Sequence, residues 1–161
     1  MDRPNVFGSE WDLSRRGVKL ASVTGPGAGG LLGATVYELD EGARWAELHV
    51  HYANEELILV LTGSVTLHGL EESRALATGD VVVCPRGRQG AHRLENTGGE
   101  AARVLIVSTL NMPEIVEYPE QGNVFMMTEG PYTDGVNDPD THGRIVRVFS
   151  RDDGRPVPPD S

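Results

Sequence analysis

Two histidines separated by one residue, His49-Val50-His51, end a stretch of strand-like character that begins at Arg44. In an extended strand, side chains two apart project to the same face, so the two imidazoles stand together. A lone histidine is most often a hydrogen-bonded core residue, but a pair on one inward face is better suited to a metal ion. Glu56 opens the next apolar run after the turn Tyr52-Ala53-Asn54-Glu55, and its parity with Ile58 and Val60 directs it to the same side. A strand start displaced by one residue would put Glu55 there instead. His92 shares parity with Leu94 and Asn96 and is the natural fourth donor, the alternative being a structural histidine bonded to backbone. Three neutral imidazoles and one carboxylate suit one divalent transition metal (Fe, Mn, Ni, Cu or Zn) better than Mg or Ca. On an octahedral ion such a set leaves positions open for water, oxygen or a bidentate substrate, which suits Lewis-acid or oxygen chemistry.

Trp45 and Glu47 have the parity of the two histidines, so Trp45 is a candidate wall of a substrate pocket and Glu47 a candidate catalytic base. The competing assignment for both is the rim of the sheet. Tyr37 is a second candidate pocket residue, with core packing as its alternative. Cys84, the one cysteine, closes a valine run and reads as a buried, inert thiol without an activating neighbour. His68 and His142 are expected to be exposed and unliganded, and Met126-Met127 to fill a gap or an interface.

Positioning these donors requires strands. Short β-rich runs cover Val18–Thr24, Leu31–Leu39, Arg44–His51, Glu56–Thr62, Val65–His68, Val81–Cys84, Ala91–Leu94 and Ala102–Thr109, with Gly and Asp in most connections. Many short strands at close spacing predict an all-β antiparallel sandwich or barrel. Gly63-Ser64 suits a tight hairpin between Glu56–Thr62 and Val65–His68. Residues 1–17 read as an N-terminal arm, 18–110 as the barrel, and 111–161 as a C-terminal arm whose end, from Asp152, is expected to be disordered. That arm is rich in Pro, Asp and Gly, broken by two apolar runs, Val124–Met127 and Ile145–Phe149. Gly25-Pro26-Gly27-Ala28-Gly29-Gly30 matches a dinucleotide-binding glycine pattern, but a strand follows it where a helix is required, so it reads as a loop.

The chain of 161 residues suits one domain, and its formal net charge of −10 disfavours nucleic acid as a partner. No apolar run approaches the roughly 20 residues that span a bilayer, and the N-terminus lacks the order of a secretion signal, so a cytoplasmic location is expected. A single cysteine is compatible with a reducing compartment.

His49-Val50-His51, Glu56 and Gly63 together resemble the first cupin motif, and Gly79-Asp80, Pro85-Arg86-Gly87, His92 and Asn96 resemble the second. The resemblance implies a jelly-roll barrel with double-sheet architecture, a metal held inside it by His49, His51, Glu56 and His92, and a tendency to form homodimers. Leu32 to Leu39, Gly90-Ala91-His92 and Ser108 to Tyr118-Pro119 look like a bacterial group of single-domain cupins, a likeness that implies the fold and not the substrate. Gly42 stands one residue further from His49 than the usual motif has it, and Gly87 two residues further from His92, which suggests a bulge and a longer loop. Leu57, Leu59 and Leu61 face outward and favour a homodimer on their own account.

These features point to a metal-dependent enzyme acting on a small polar metabolite, either an oxygenase (dioxygenase) or a non-redox lyase or isomerase. Thiol dioxygenation is disfavoured, because that branch of the family typically lacks a ligand glutamate. A cupin that binds a small-molecule ligand without turnover, or a metal that serves the fold alone, are the alternatives.

Overall fold

Burial alternates along the central strands as a period of two demands. Ala102, Val104 and Ile106 are buried on one strand and Ile58 and Val60 on another, while the residues between them are more exposed. The computed structural model describes residues 5–24, 31–128 and 145–157. These form thirteen strands: β1 (Leu13–Arg15), β2 (Val18–Ser22), β3 (Leu32–Leu39), β4 (Arg44–His51), β5 (Glu56–Thr62), β6 (Ser64–His68), β7 (Ser73–Ala77), β8 (Val81–Cys84), β9 (His92–Glu95), β10 (Ala102–Thr109), β11 (Glu114–Tyr118), β12 (Asn123–Thr128) and β13 (Ile145–Ser150). One 3-10 turn, Arg88–Gly90, is the only helical element among the described residues.

The strands make two antiparallel sheets, ordered β1-β2-β3-β10-β5-β8 and β13-β12-β11-β4-β9-β6-β7. Leu39, Ile58, Val60, Val65, Leu76, Leu94 and Val104 fill the space between them, with Tyr37 and Trp45 packed against that core. Apolar burial of this kind supplies most of the driving force for folding. This is the all-β double-sheet barrel expected from the sequence.

One expected pairing is wrong. β5 and β6 do not form a hairpin: β5 pairs with β10 and β8, whereas β6 pairs with β7 and β9 in the opposite sheet. Gly63 carries the chain from one sheet to the other at φ 77, and a Cβ there would lie 2.9 Å from the Ala102 Cα. The glycine therefore serves a close sheet-to-sheet crossing.

Described segments before and after the barrel strands both join the sheets. The N-terminal segment adds β1 as an edge strand, and Arg103 holds it by donating to the Val6 and Gly8 carbonyls at 3.1 and 3.0 Å. In the C-terminal segment β11 pairs with β4, setting Val116 opposite His51, and β12 and β13 extend the sheet outward. Disorder was expected from Asp152, but residues 151–157 turn back on β13, where the Val157 N–H donates to the Val148 carbonyl at 2.9 Å. His142, the Gly25 to Gly30 loop and residues 158–161 lie outside the described residues.

Candidate functional site

β4 carries the two histidines past an irregularity. Trp45 lies opposite Leu94 and His49 opposite His92, so β4 runs four residues where β9 runs two. Ala46 takes φ 57 inside this bulge. The detour returns His49 and His51 to the inward face and leaves Glu47 exposed, as bulges commonly re-aim a side chain.

β5 begins at Glu56, as read from the sequence, and Glu56 rather than Glu55 points inward. One ligand-capable atom from each of His49, His51 and Glu56 lies within 4.8 Å of the others, a cluster that could hold a metal ion. His92, on β9, is only 3% exposed and meets the same carboxylate: its Nε2 lies 2.8 Å from Glu56 Oε2, and its ring centroid lies 4.4 Å from that of His49. All four residues named from the sequence are therefore neighbours.

The imidazoles are oriented by what their other nitrogens touch. His49 Nδ1 lies 2.8 Å from the Glu47 carbonyl and His92 Nδ1 lies 2.9 Å from the Gly90 carbonyl. Each carbonyl can accept only from an Nδ1–H, so it selects the orientation that leaves Nε2 directed inward. His51 Nε2 is 3.8 Å from Glu56 Oε1, while its buried Nδ1 has no hydrogen-bond partner among the described residues. This donor set, borderline nitrogens converging on one half-buried carboxylate, fits a divalent transition ion.

Burial lowers the His49 pKa to about 4, with the neighbouring His92 charge adding to the effect. Burial also opposes the charge on His92, but contacts with Cys84 and Glu56 outweigh it and push its pKa up to about 10. Burial raises the Glu56 pKa as well, yet the hydrogen bond and charge of His92 and the other two imidazoles prevail and hold it below the ordinary carboxylate value.

Around this cluster the predicted residues divide. Tyr37 and Trp45 stack at 4.3 Å between ring centroids as part of the core packing. Burial and the Glu56 charge push the Tyr37 pKa up to about 12, so its hydroxyl stays protonated. Tyr118, which sequence reasoning missed, sits 6.0 Å from His49 by ring centroid, and burial together with Glu47 raises its pKa as well. No local signal marks Tyr118; only the pairing of β11 with β4 brings it in.

Cys84 is buried as expected, but it has unexpected neighbours: it lies opposite Glu56 across β5 and β8, and its proximity helps raise the His92 pKa. An open cleft of about 840 Å³ beside β6, β7 and β8 counts Cys84 and Ala91 among its lining residues, and the four clustered residues do not line it. His68 is partly buried rather than exposed, held by Ser73 at 2.8 Å and Glu95 at 3.1 Å. The pairing of β6 with β9 brings Glu95 within its reach.

The second residue missed is Glu114. It is 2% exposed; its Oε1 accepts from the Tyr52 and Ala53 N–H groups at 3.2 Å each, and its Oε2 accepts from the Asn54 amide. The Asn54 carbonyl oxygen in turn accepts from the Thr109 hydroxyl and the Asn111 N–H. The turn between His51 and Glu56 is thus stitched to the segment after β10.

Comparison with known proteins agrees with this geometry. Residues 35–108 match the family model for the Cupin domain. The chain is similar to the crystal structure of a sugar phosphate isomerase of the cupin superfamily from Silicibacter pomeroyi DSS-3, with 22% identity over 90% of this chain and 83% of that one, at a TM-score of 0.70. It is similar also to a proposed sugar phosphate isomerase from Acidithiobacillus ferrooxidans ATCC 23270, with 24% identity over 88% and 81% of the chains, at 0.69. A predicted oxalate decarboxylase from Thermotoga maritima is 25% identical over 58% of this chain and 81% of that one, at 0.53. No curated protein matches the chain by sequence. With its two sheets, its His-His-Glu cluster and the domain match, the chain carries a cupin domain over residues 35–108.

The depressed His49 pKa has a consequence for stability. Between pH 6.5 and about 4 the unfolded chain binds a proton that folded His49 refuses, so this contribution is complete above 6.5 and lost as pH falls toward 4. His92 stays protonated in both states across most of that window and adds little slope. The metal-free protein is expected to show a falling urea midpoint over this range, with a shallower fall in His49→Phe; an equal slope in both proteins contradicts the assignment.

Proposed function

We propose that the chain is a divalent-metal-dependent enzyme of the non-redox isomerase or lyase class, acting on a small hydroxy-carbonyl metabolite with His49, His51, Glu56 and His92 as ligands. The observation that carries this reading is the convergence of three imidazoles on one half-buried carboxylate, with two Nδ1 atoms already engaged by main-chain oxygens. A bound divalent ion supplies Lewis-acid polarisation of a substrate oxygen.

The chain's own groups supply the rest. Tyr37 and Tyr118 stay protonated and can donate hydrogen bonds to substrate oxygens at the cluster. Glu47, whose charge reaches Tyr118 from the bulge, is the candidate base that takes a proton from carbon and returns it to the neighbouring carbon. Trp45 packs against Tyr37 and would support it against a bound substrate. Sugar phosphates are the substrate class favoured here, since two similar structures spanning most of the chain carry that name. The same likeness ranks isomerisation above the oxygenase reading.

Assay of the Zn(II)-, Mn(II)- and Fe(II)-loaded protein on aldose and ketose phosphates is expected to show turnover that chelation abolishes. Glu47→Gln should lower kcat about 100-fold or more with metal retained. Turnover surviving complete metal removal, or substrate-linked oxygen uptake, contradicts the reading.

We also place the protein in the cytoplasm as a homodimer. No helix among the described residues is long and apolar enough to cross a membrane. Val81 and Val83, 52% and 57% exposed on edge strand β8, adjoin Leu59 and Leu57 of β5 and, beyond them, Leu105 and Val107 of β10 on the outer face of the six-stranded sheet. An apolar face of this extent favours burial against a second copy. Light scattering at micromolar concentration should give a dimer mass for the wild type and a monomer mass for Val83→Glu; a monomeric wild type contradicts the assembly.

A further inference from the structure

The C-terminal segment brings a carboxylate beside the candidate metal cluster that the ligand set does not use. We propose that Glu114 is a positioning residue for His51, accepting its Nδ1–H and so holding Nε2 toward the metal. This rests on the metal-binding reading above.

The three rings are held unequally. His49 and His92 each have Nδ1 engaged by a main-chain carbonyl, whereas His51 Nδ1 is buried without a hydrogen bond. A buried N–H left unpaired costs about 1–3 kcal/mol, so a partner is expected at that position. The nearest charged oxygen there is Glu114 Oε2, 3.7 Å away. A contraction of about 1 Å or less brings the pair within hydrogen-bond range. His51 Nε2 faces the other way, toward Glu56.

Glu114 is also rigidly held. Its Oε1 is occupied by the Tyr52 and Ala53 N–H groups, and its Oε2 accepts from Asn54, itself fixed by Thr109 and Asn111. A carboxylate oxygen has lone pairs for two donors, so Oε2 retains capacity for the imidazole N–H. A carboxylate on the far nitrogen of a ligand histidine fixes its orientation and raises its basicity, and loss of such a partner typically costs about 10–100-fold in metal affinity. Glu114 lies opposite Met127 in the pairing of β11 with β12, so the segment after the barrel proper completes the site.

The test uses the full-length protein loaded with Co(II), with affinity read by chelator competition and geometry by the visible absorption bands. Glu114→Gln and Glu114→Asp are expected to weaken Co(II) binding about 10–100-fold and about 10-fold respectively, with altered bands. Unchanged affinity and bands in a folded Glu114→Gln protein, even with a lower melting temperature, would reduce Glu114 to a structural role and overturn the proposal. Should the variants not fold, histidine nitrogen NMR of the zinc-loaded wild type decides. Zinc on His51 Nε2 with a slowly exchanging Nδ1–H supports the proposal, and zinc on Nδ1 overturns it. A wild type that binds no Co(II) removes the metal reading itself, whereas normal wild-type binding with an indifferent Glu114 removes only this inference.

Discussion

A carboxylate taken out of water must be matched by positive charge or by hydrogen-bond donors, and the inward-facing Glu56 is the constraint on which this molecule turns. Its oxygens face His92 at 2.8 Å and His51 at 3.8 Å, with His49 packed against both rings. In the metal-free protein a protonated His92 meets that need. A divalent ion would meet it more fully, since it places more charge at the same point and frees all three rings to act as neutral donors. The same inward-facing group thus links the integrity of the barrel interior to its chemistry.

Holding the rings around that carboxylate falls to elements far apart in the chain. The bulge at Ala46 supplies the Glu47 carbonyl to His49, and the 3-10 turn supplies the Gly90 carbonyl to His92. The Gly87 N–H, donating to the His51 carbonyl at 2.7 Å, ties that turn to β4. Glu117 fastens the outer side, accepting from the Tyr52 hydroxyl at 2.6 Å and from Arg88 at 2.8 Å. Segments on either side of the cluster are thereby fixed by hydrogen bonds, which suits a site that must keep its donors in place before a ligand arrives.

Much of this was legible in the sequence because it rests on period two. His49 and His51 are identified by their spacing of two, and Glu56 and His92 by parity with inward residues of their own strands, and those relations survive folding. What local pattern could not carry was anything set by strand pairing. Glu47 shared the parity of the histidines, but the bulge at Ala46 leaves it exposed, with its charge still reaching Tyr118. Gly63 looked like a hairpin turn, because positive φ is common to hairpins and to crossings between sheets. Cys84 gained His92 as a neighbour only through the opposition of β5 and β8 and the closing of the barrel. Tyr118 and Glu114 were invisible for the same reason, since the β11 segment looks like a polar arm until it pairs with β4.

The central claim is that three imidazoles and one carboxylate bind a single divalent ion. X-ray absorption at the metal edge of the Zn(II)-loaded protein tests it most directly. The account predicts one zinc per chain with a first coordination sphere of nitrogen and oxygen at about 2.0–2.2 Å, and with the multiple scattering of histidine rings. A sulfur neighbour at about 2.3 Å would assign Cys84 to the metal instead, and a protein that retains no zinc would contradict the account outright.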